Sequence, residues 1–233
     1  MNQEALLIAF QVVVLVLAFS IHECAHAWVA WRLGDPTAKM LGRVTLNPLK
    51  HLDPLGSVFM PLVALVYHWP LIGWAKPTPV TSRNFKNYRR DDILVTLAGP
   101  ASNILSATVA LILLILMKHA SSGGITAVAT AVALASKMPG ISTVGLPVLV
   151  PVALLLYYVI LINLLLFVFN LIPIPPLDGS QILRHFLPYR VVQLYDRMGL
   201  IGLIVLFLIG GSFIFSLFFS PLLNTFNHLL FTL

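Results

Sequence analysis

Four apolar runs set the terms for this chain: Ala5 to Trp31, Ile93 to Met117, Val148 to Ile172 and Leu200 to Phe219. A helix needs about 20 apolar residues to cross the hydrocarbon layer of a bilayer, so each run is long enough to span. Of the 233 residues, 59% are hydrophobic and 9% charged, with a mean hydropathy of +0.95. An average soluble domain carries roughly a quarter Asp, Glu, Lys and Arg, so an ordinary water-soluble globule is excluded. Disorder is excluded too, because it requires low hydrophobicity and high charge. The expected fold class is an all-α polytopic membrane protein, one domain over residues 1–233. The first run lacks the basic start of a signal peptide and has Glu4 instead, so it is expected to stay in the mature protein.

Two shorter stretches are harder to place. Leu55 to Trp74 is interrupted by Pro61 and Pro70, and Ile125 to Ala135 is too short to span as one helix. Loops rich in Lys and Arg stay on the cytoplasmic side. One basic stretch (Arg32, Lys39, Arg43, Lys50) precedes residues 55–74 and another (Lys76, Arg83, Lys86, Arg89, Arg90) follows them. A crossing at 55–74 would put one of the two outside, so a re-entrant segment is expected there, with a fifth crossing as the alternative. The same rule places Arg184, Arg190 and Arg197 inside and both termini outside. A small β-hairpin region is expected within 42–80. The Ile125 to Ala135 stretch fits either an external interfacial helix or a lateral gate.

The net charge of +6 would suit nucleic acid, but the basic residues lie in loops between apolar runs, as orientation charges do. The expected partner is the lipid bilayer, with no nucleic acid. Cys24 is the only cysteine, so no intramolecular disulfide framework exists.

Within the first run stand His22, Glu23 and His26, in the pattern HExxH. Residues four apart on a helix lie about 40° apart in azimuth, so both imidazoles can reach one ion, which zinc would suit. Glu23 falls beside them, placed to hold a water as a general base without being a ligand. Each charged side chain inside a span costs about 2.5–3.5 kcal/mol on insertion scales, so three ionisable residues in five positions demand a reason. Cys24 points away, as a packing residue would.

A catalytic zinc takes three protein ligands and keeps an open position. Candidates for the third are His51, Asp53, Asp91, Asp92 and Asp178. Asp178 is best placed, because Asn170-Leu171-Ile172-Pro173-Ile174-Pro175-Pro176-Leu177-Asp178-Gly179 breaks the helix after the third run. Irregular backbone at membrane depth is tolerated only where protein buries it or a wet cavity adjoins it. The ordinary alternative is that Asp178 caps a helix beginning near Ser180. Asp91 and Asp92 are explained by the start of a helix, and His51 and Asp53 by a turn-rich stretch. Of the intramembrane amides, Asn103 and Asn170 are expected to handle substrate and Asn163 to pack.

Together, HECAH at 22–26, LAGPASN at 97–103 and NLIPIPPLDG at 170–179 resemble the site-2 protease family of intramembrane zinc metalloproteases. GRVTLNPLKHLDPLG at 42–56 and GWAKPTPV at 73–80 extend the likeness to small prokaryotic members without PDZ or CBS domains. The resemblance implies a zinc endopeptidase of the multi-pass cell membrane, one that cuts transmembrane segments of substrate proteins near the cytoplasmic side in regulated intramembrane proteolysis. It implies that His22, His26 and Asp178 hold one Zn2+ per chain, that Glu23 activates water, and that Asn103 helps to hold the substrate. The polar stretch at about 42–92 would then serve as a water path or as an edge that pairs with an extended substrate. The competing classes are a metal-ion transporter, which would ordinarily show internal repeats that this chain lacks, and a non-catalytic zinc scaffold. A scaffold has no need of Glu23.

Overall fold

The computed structural model of the chain describes residues 3–59, 74–120, 122–141, 147–205 and 211–233. Its long helices are α1 (Gln3–Arg32), α2 (Tyr88–Ala120) and α4 (Leu149–Asn170), with α3 (Gly124–Ala135) between the last two. After α4 come α5 (Asp178–Arg184), α6 (Tyr189–Val205) and α7 (Ser220–Thr232). Among the described residues, four helical segments are long and apolar enough to cross a membrane: Glu4–Arg32, Tyr88–Ala120, Leu149–Asn170 and Gly211–Thr232. The all-α, four-span architecture read from the sequence is the architecture found.

The described part of the fourth span, Gly211–Thr232, overlaps the expected run of 200–219 and extends beyond it, and residues 206–210 lie outside the described residues. Gly199 takes φ +37° inside α6, and from Gly211 the described span continues through a π-helical turn (Phe215–Phe219) into α7. Asn224, Asn227 and His228 make the end of α7 look too polar to be embedded. The structure instead satisfies part of that polarity between helices, with the Tyr157 hydroxyl donating to Asn227 Oδ1 at 3.0 Å.

Helices α1, α2, α3, α4 and α7 share one apolar core. Ala107, Ala110, Ala127, Ala131 and Ala153 are buried where the helices meet, around Leu114, Leu134, Ile160 and Leu164. In lipid there is no hydrophobic drive between helices, and such small residues admit the close backbone approach that packing then rewards. The opposite faces carry Leu105, Val109, Ile112 and Leu116 exposed, as lipid contact requires. The short α3 is buried through Ala127, Val128, Ala131 and Leu134 against this core. It is therefore a packed half-length helix.

Most of the expected re-entrant segment, residues 60–73, lies outside the described residues. Of the β-hairpin expected within 42–80, the described residues show one isolated antiparallel bridge, Leu52 with Ala75, and no named strand. Pro48, Pro54, Pro77 and Pro79 remove the donors that a longer ladder would use. Order here comes from side chains. Buried Asp35, just beyond α1, accepts from Thr37 N, Thr81 N and Asn84 Nδ2 at 3.1, 2.7 and 2.7 Å. Burial works to raise the Asp35 carboxyl, but these donors outweigh it and hold the group below the usual carboxylate range. The result is an extended stretch, residues 75–81, fastened along the C-terminal end of α1.

Candidate metal centre

His22 and His26 lie one turn apart on α1, and both are buried. Their rings meet edge to face with centroids 4.6 Å apart, and their Nε2 atoms approach to 3.0 Å. Asp178 Oδ2 stands 3.2 Å from His22 Nε2 and 3.4 Å from His26 Nε2. Two residues 152 or more positions up the chain thus share one point with an aspartate after α4.

The protonation of the imidazoles follows from their outer nitrogens. The Val159 carbonyl can only accept, so Asn163 Nδ2 donates to it at 2.9 Å. That orientation leaves Asn163 Oδ1 to accept from Asn103 Nδ2 at 3.1 Å, and Asn103 Oδ1 to accept from His22 Nδ1 at 2.6 Å. His26 Nδ1 donates to the Val95 carbonyl at 2.7 Å. With both Nδ1 atoms engaged outward, both Nε2 atoms face Asp178 and present lone pairs to it whenever the rings are neutral. Asp178 Oδ2 is itself buried with no hydrogen-bond donor directed at it. Two imidazole Nε2 atoms and a carboxylate oxygen, all turned toward one another, are a donor set that could hold a cation. Among the described residues, His22, His26 and Asp178 form a group whose ligand atoms lie within 4.8 Å of one another.

Two glycines make this convergence possible. Gly99 on α2 faces the imidazoles so closely that a Cβ there would lie 2.6 Å from His22 Nε2 and closer still to His26. Gly179 has the same function behind Asp178, where a Cβ would come within 2.7 Å of the Ile172 carbonyl oxygen. Only a residue without a side chain lets the 171–172 backbone fold back against the start of α5. Helix α5 is then tied to α2, with His185 Nε2 2.7 Å from Asp92 Oδ2 and Ser82 Oγ donating to Asp92 Oδ1 at 3.1 Å.

The other sequence candidates take structural positions. Asp91 Oδ2 accepts from Asn87 N at 3.0 Å, closing the start of α2, while Asp53 Oδ1 accepts from Leu55 N and Gly56 N at 3.0 and 2.8 Å. His51 is buried with Nε2 on the Thr45 carbonyl at 2.8 Å. Asp178 opens α5 but makes no cap there. Asn163 packs between helices. Asn103 is fully buried, and its amide is spent on His22 and Asn163, so it supports a ring. Asn170, partly buried, donates to the Leu166 carbonyl at 3.0 Å. Glu23 is half-buried, and its carboxylate accepts from the backbone of Thr78 at 2.8 Å. Thr78 was not singled out by sequence reading, although its place between two prolines is visible there.

A buried group of two histidines and an aspartate that could hold a metal ion lies among helices long and apolar enough to span a membrane, the arrangement a membrane-embedded metalloprotein requires. The chain belongs to peptidase family M50, which it matches over residues 10–210. It is 36% identical over 218 residues to a Bacillus subtilis (strain 168) protein named "Putative zinc metalloprotease YwhC", covering 94% of this chain and 87% of that one. Two proteins under the same description, named Rip2, are more distant. That of Mycolicibacterium smegmatis is 29% identical over 74% of this chain, and that of Mycobacterium tuberculosis strain H37Rv is 30% identical over 83%. The chain spans 55% and 64% of their lengths. No solved structure matches the chain. The family likeness read from the motifs is the family found.

If Asn103 sets the His22 tautomer, Asn103→Leu should weaken zinc binding by about 10–100-fold, the usual effect of losing such an outer partner. Competition with a metal-binding dye reads this directly. Wild-type affinity in the variant would mean that the amide serves packing alone.

Proposed function

We propose that this chain hydrolyses peptide bonds within transmembrane segments of substrate proteins, near the cytoplasmic side of the cell membrane, as a single domain over residues 1–233. His22, His26 and Asp178 hold one Zn2+, and Glu23 is the general base, so that HExxH and the distal Leu177-Asp178-Gly179 are two halves of one site. The observation that carries the reading is the meeting of two imidazole Nε2 atoms with Asp178 Oδ2 at one buried point. The two-histidine, one-carboxylate set is one that catalytic zinc uses, and the relatives' names describe zinc metalloproteases.

Zinc in this site supplies Lewis acidity to the scissile carbonyl and to the attacking water. Glu23 takes the water proton and delivers it to the departing amide nitrogen, so no free strong base or acid is needed. Asn103 and the Val95 carbonyl hold the two rings in register through their Nδ1 protons. Asn170, at the entry to the proline-rich turn, is the residue we assign to the substrate backbone. The helix pair α1 and α2 confines the chemistry to buried surface, and the substrates are proteins that share the bilayer. Family membership does not favour a transporter or an inert scaffold.

The test is cleavage of a synthetic transmembrane peptide by the purified full chain in detergent. A strong chelator should stop cleavage, and one equivalent of zinc should restore it. Cleavage that persists after metal removal, with zinc verified absent, overturns the proposal.

A further inference from the structure

Between Lys76 and Val80 the chain reads Pro77-Thr78-Pro79. Proline has no backbone N–H, so Thr78 carries the one backbone donor in this tripeptide. That donor meets Glu23 Oε2 at 2.8 Å, and the Thr78 hydroxyl donates to the Glu23 carbonyl oxygen at 3.0 Å. One residue thus holds both the backbone and the carboxylate of Glu23.

The tripeptide is stiff and fixed at both ends. The rings lock φ at 77 and 79, and a following proline keeps Lys76 and Thr78 out of the helical region. Upstream, Lys76 N donates to the His51 carbonyl at 2.8 Å beside the Leu52–Ala75 bridge. Downstream, Val80 packs on Ala30, Phe85 and Val95, and Thr81 N is held by Asp35 Oδ2 at 2.7 Å. The position of the Thr78 N–H is therefore set by the fold around it and does not depend on the glutamate.

We propose that Pro77-Thr78-Pro79 is a rigid clip that positions the general base, with Thr78 a positioning residue acting through Glu23. The backbone N–H engages one carboxylate oxygen and fixes the rotamer, which leaves the other oxygen to take a proton from water. A glutamate side chain has three rotatable bonds, and small displacements of a reacting group can cost about 100-fold in rate. A neutral donor orients the carboxylate without pairing it with a cation. The inference rests on the reading of Glu23 as the base.

The test compares steady-state cleavage of the transmembrane peptide and zinc content in four variants. Thr78→Pro, which removes both donors, should lower kcat by roughly 100-fold with KM and zinc content near wild type. Thr78→Ser, which keeps both donors, should restore kcat to within a few-fold. Because Thr78→Pro could fail to fold, Pro77→Gly combined with Pro79→Gly keeps the donor and loosens its mounting; kcat should fall several-fold with KM unchanged. Wild-type kcat in both the Thr78→Pro and the double-glycine variants, or losses confined to KM as for a substrate-pairing edge, overturns the clip. Glu23→Gln separates the two readings. If it is inactive while the Thr78 and proline variants keep kcat, the clip alone fails; if it retains full activity, the base assignment fails and the clip with it.

Discussion

Replacing Glu23 by glutamine should lower kcat by roughly 10²–10⁴-fold, the usual contribution of a positioned general base, while the protein still binds one zinc. The separation follows from the geometry. Glu23 turns its carboxylate to the backbone of Thr78, whereas the atoms of His22, His26 and Asp178 face one another. Glutamine retains the shape and can still accept the Thr78 N–H, but it cannot take a proton from water near neutral pH. Asp178→Ala should show the reverse pattern, with zinc lost first and activity as a consequence. Rate measurement alongside metal analysis on the two variants checks both halves. A glutamine variant that loses zinc, or one that keeps full activity, would refute the division of labour.

Gly99→Ala is the second large effect. In an exposed helix interior, alanine is favoured over glycine by about 1 kcal/mol. Here the added methyl would lie 2.6 Å from His22 Nε2, inside the metal group. Overpacking typically costs about 1–3 kcal/mol, and at Gly99 that cost falls on the arrangement that holds the ion. Zinc affinity should therefore drop by about 10–100-fold while the helical content of the metal-free protein is kept. A calorimetric or dye-competition titration of the purified variant measures it. Unchanged affinity would show that α2 can retreat from α1 without cost.

The reason Gly99 matters also explains what could be read before the structure was known. His22 and His26 were legible because helical periodicity alone brings residues four apart to one face, and because charge inside a span is expensive enough to need a reason. Asp178 was legible from three prolines breaking the backbone at depth. The spans of α1, α2 and α4 follow from length and composition, and the structure retains them.

What escaped the sequence was long-range or depended on direction. Asn103 is visibly an amide in an apolar helix, but only packing shows that its oxygen meets His22 and its nitrogen meets Asn163. Thr78 meets Glu23 across 55 positions of chain, and Asp92 meets His185 across 93. Neither pairing has a local signature. The extension of the fourth span beyond residue 219 also involves a long-range contact, the Tyr157 hydroxyl donating to Asn227 Oδ1 from a neighbouring helix.

Two imidazoles and one carboxylate are expected to hold the metal, and zinc X-ray absorption on the purified full chain measures that ligand set. The expected result is nitrogen and oxygen neighbours at about 2.0–2.2 Å with imidazole scattering from two rings, falling to one ring in His22→Ala. A sulfur neighbour at about 2.3 Å, which only Cys24 or a methionine could supply, or a spectrum unaltered by loss of His22, would contradict it.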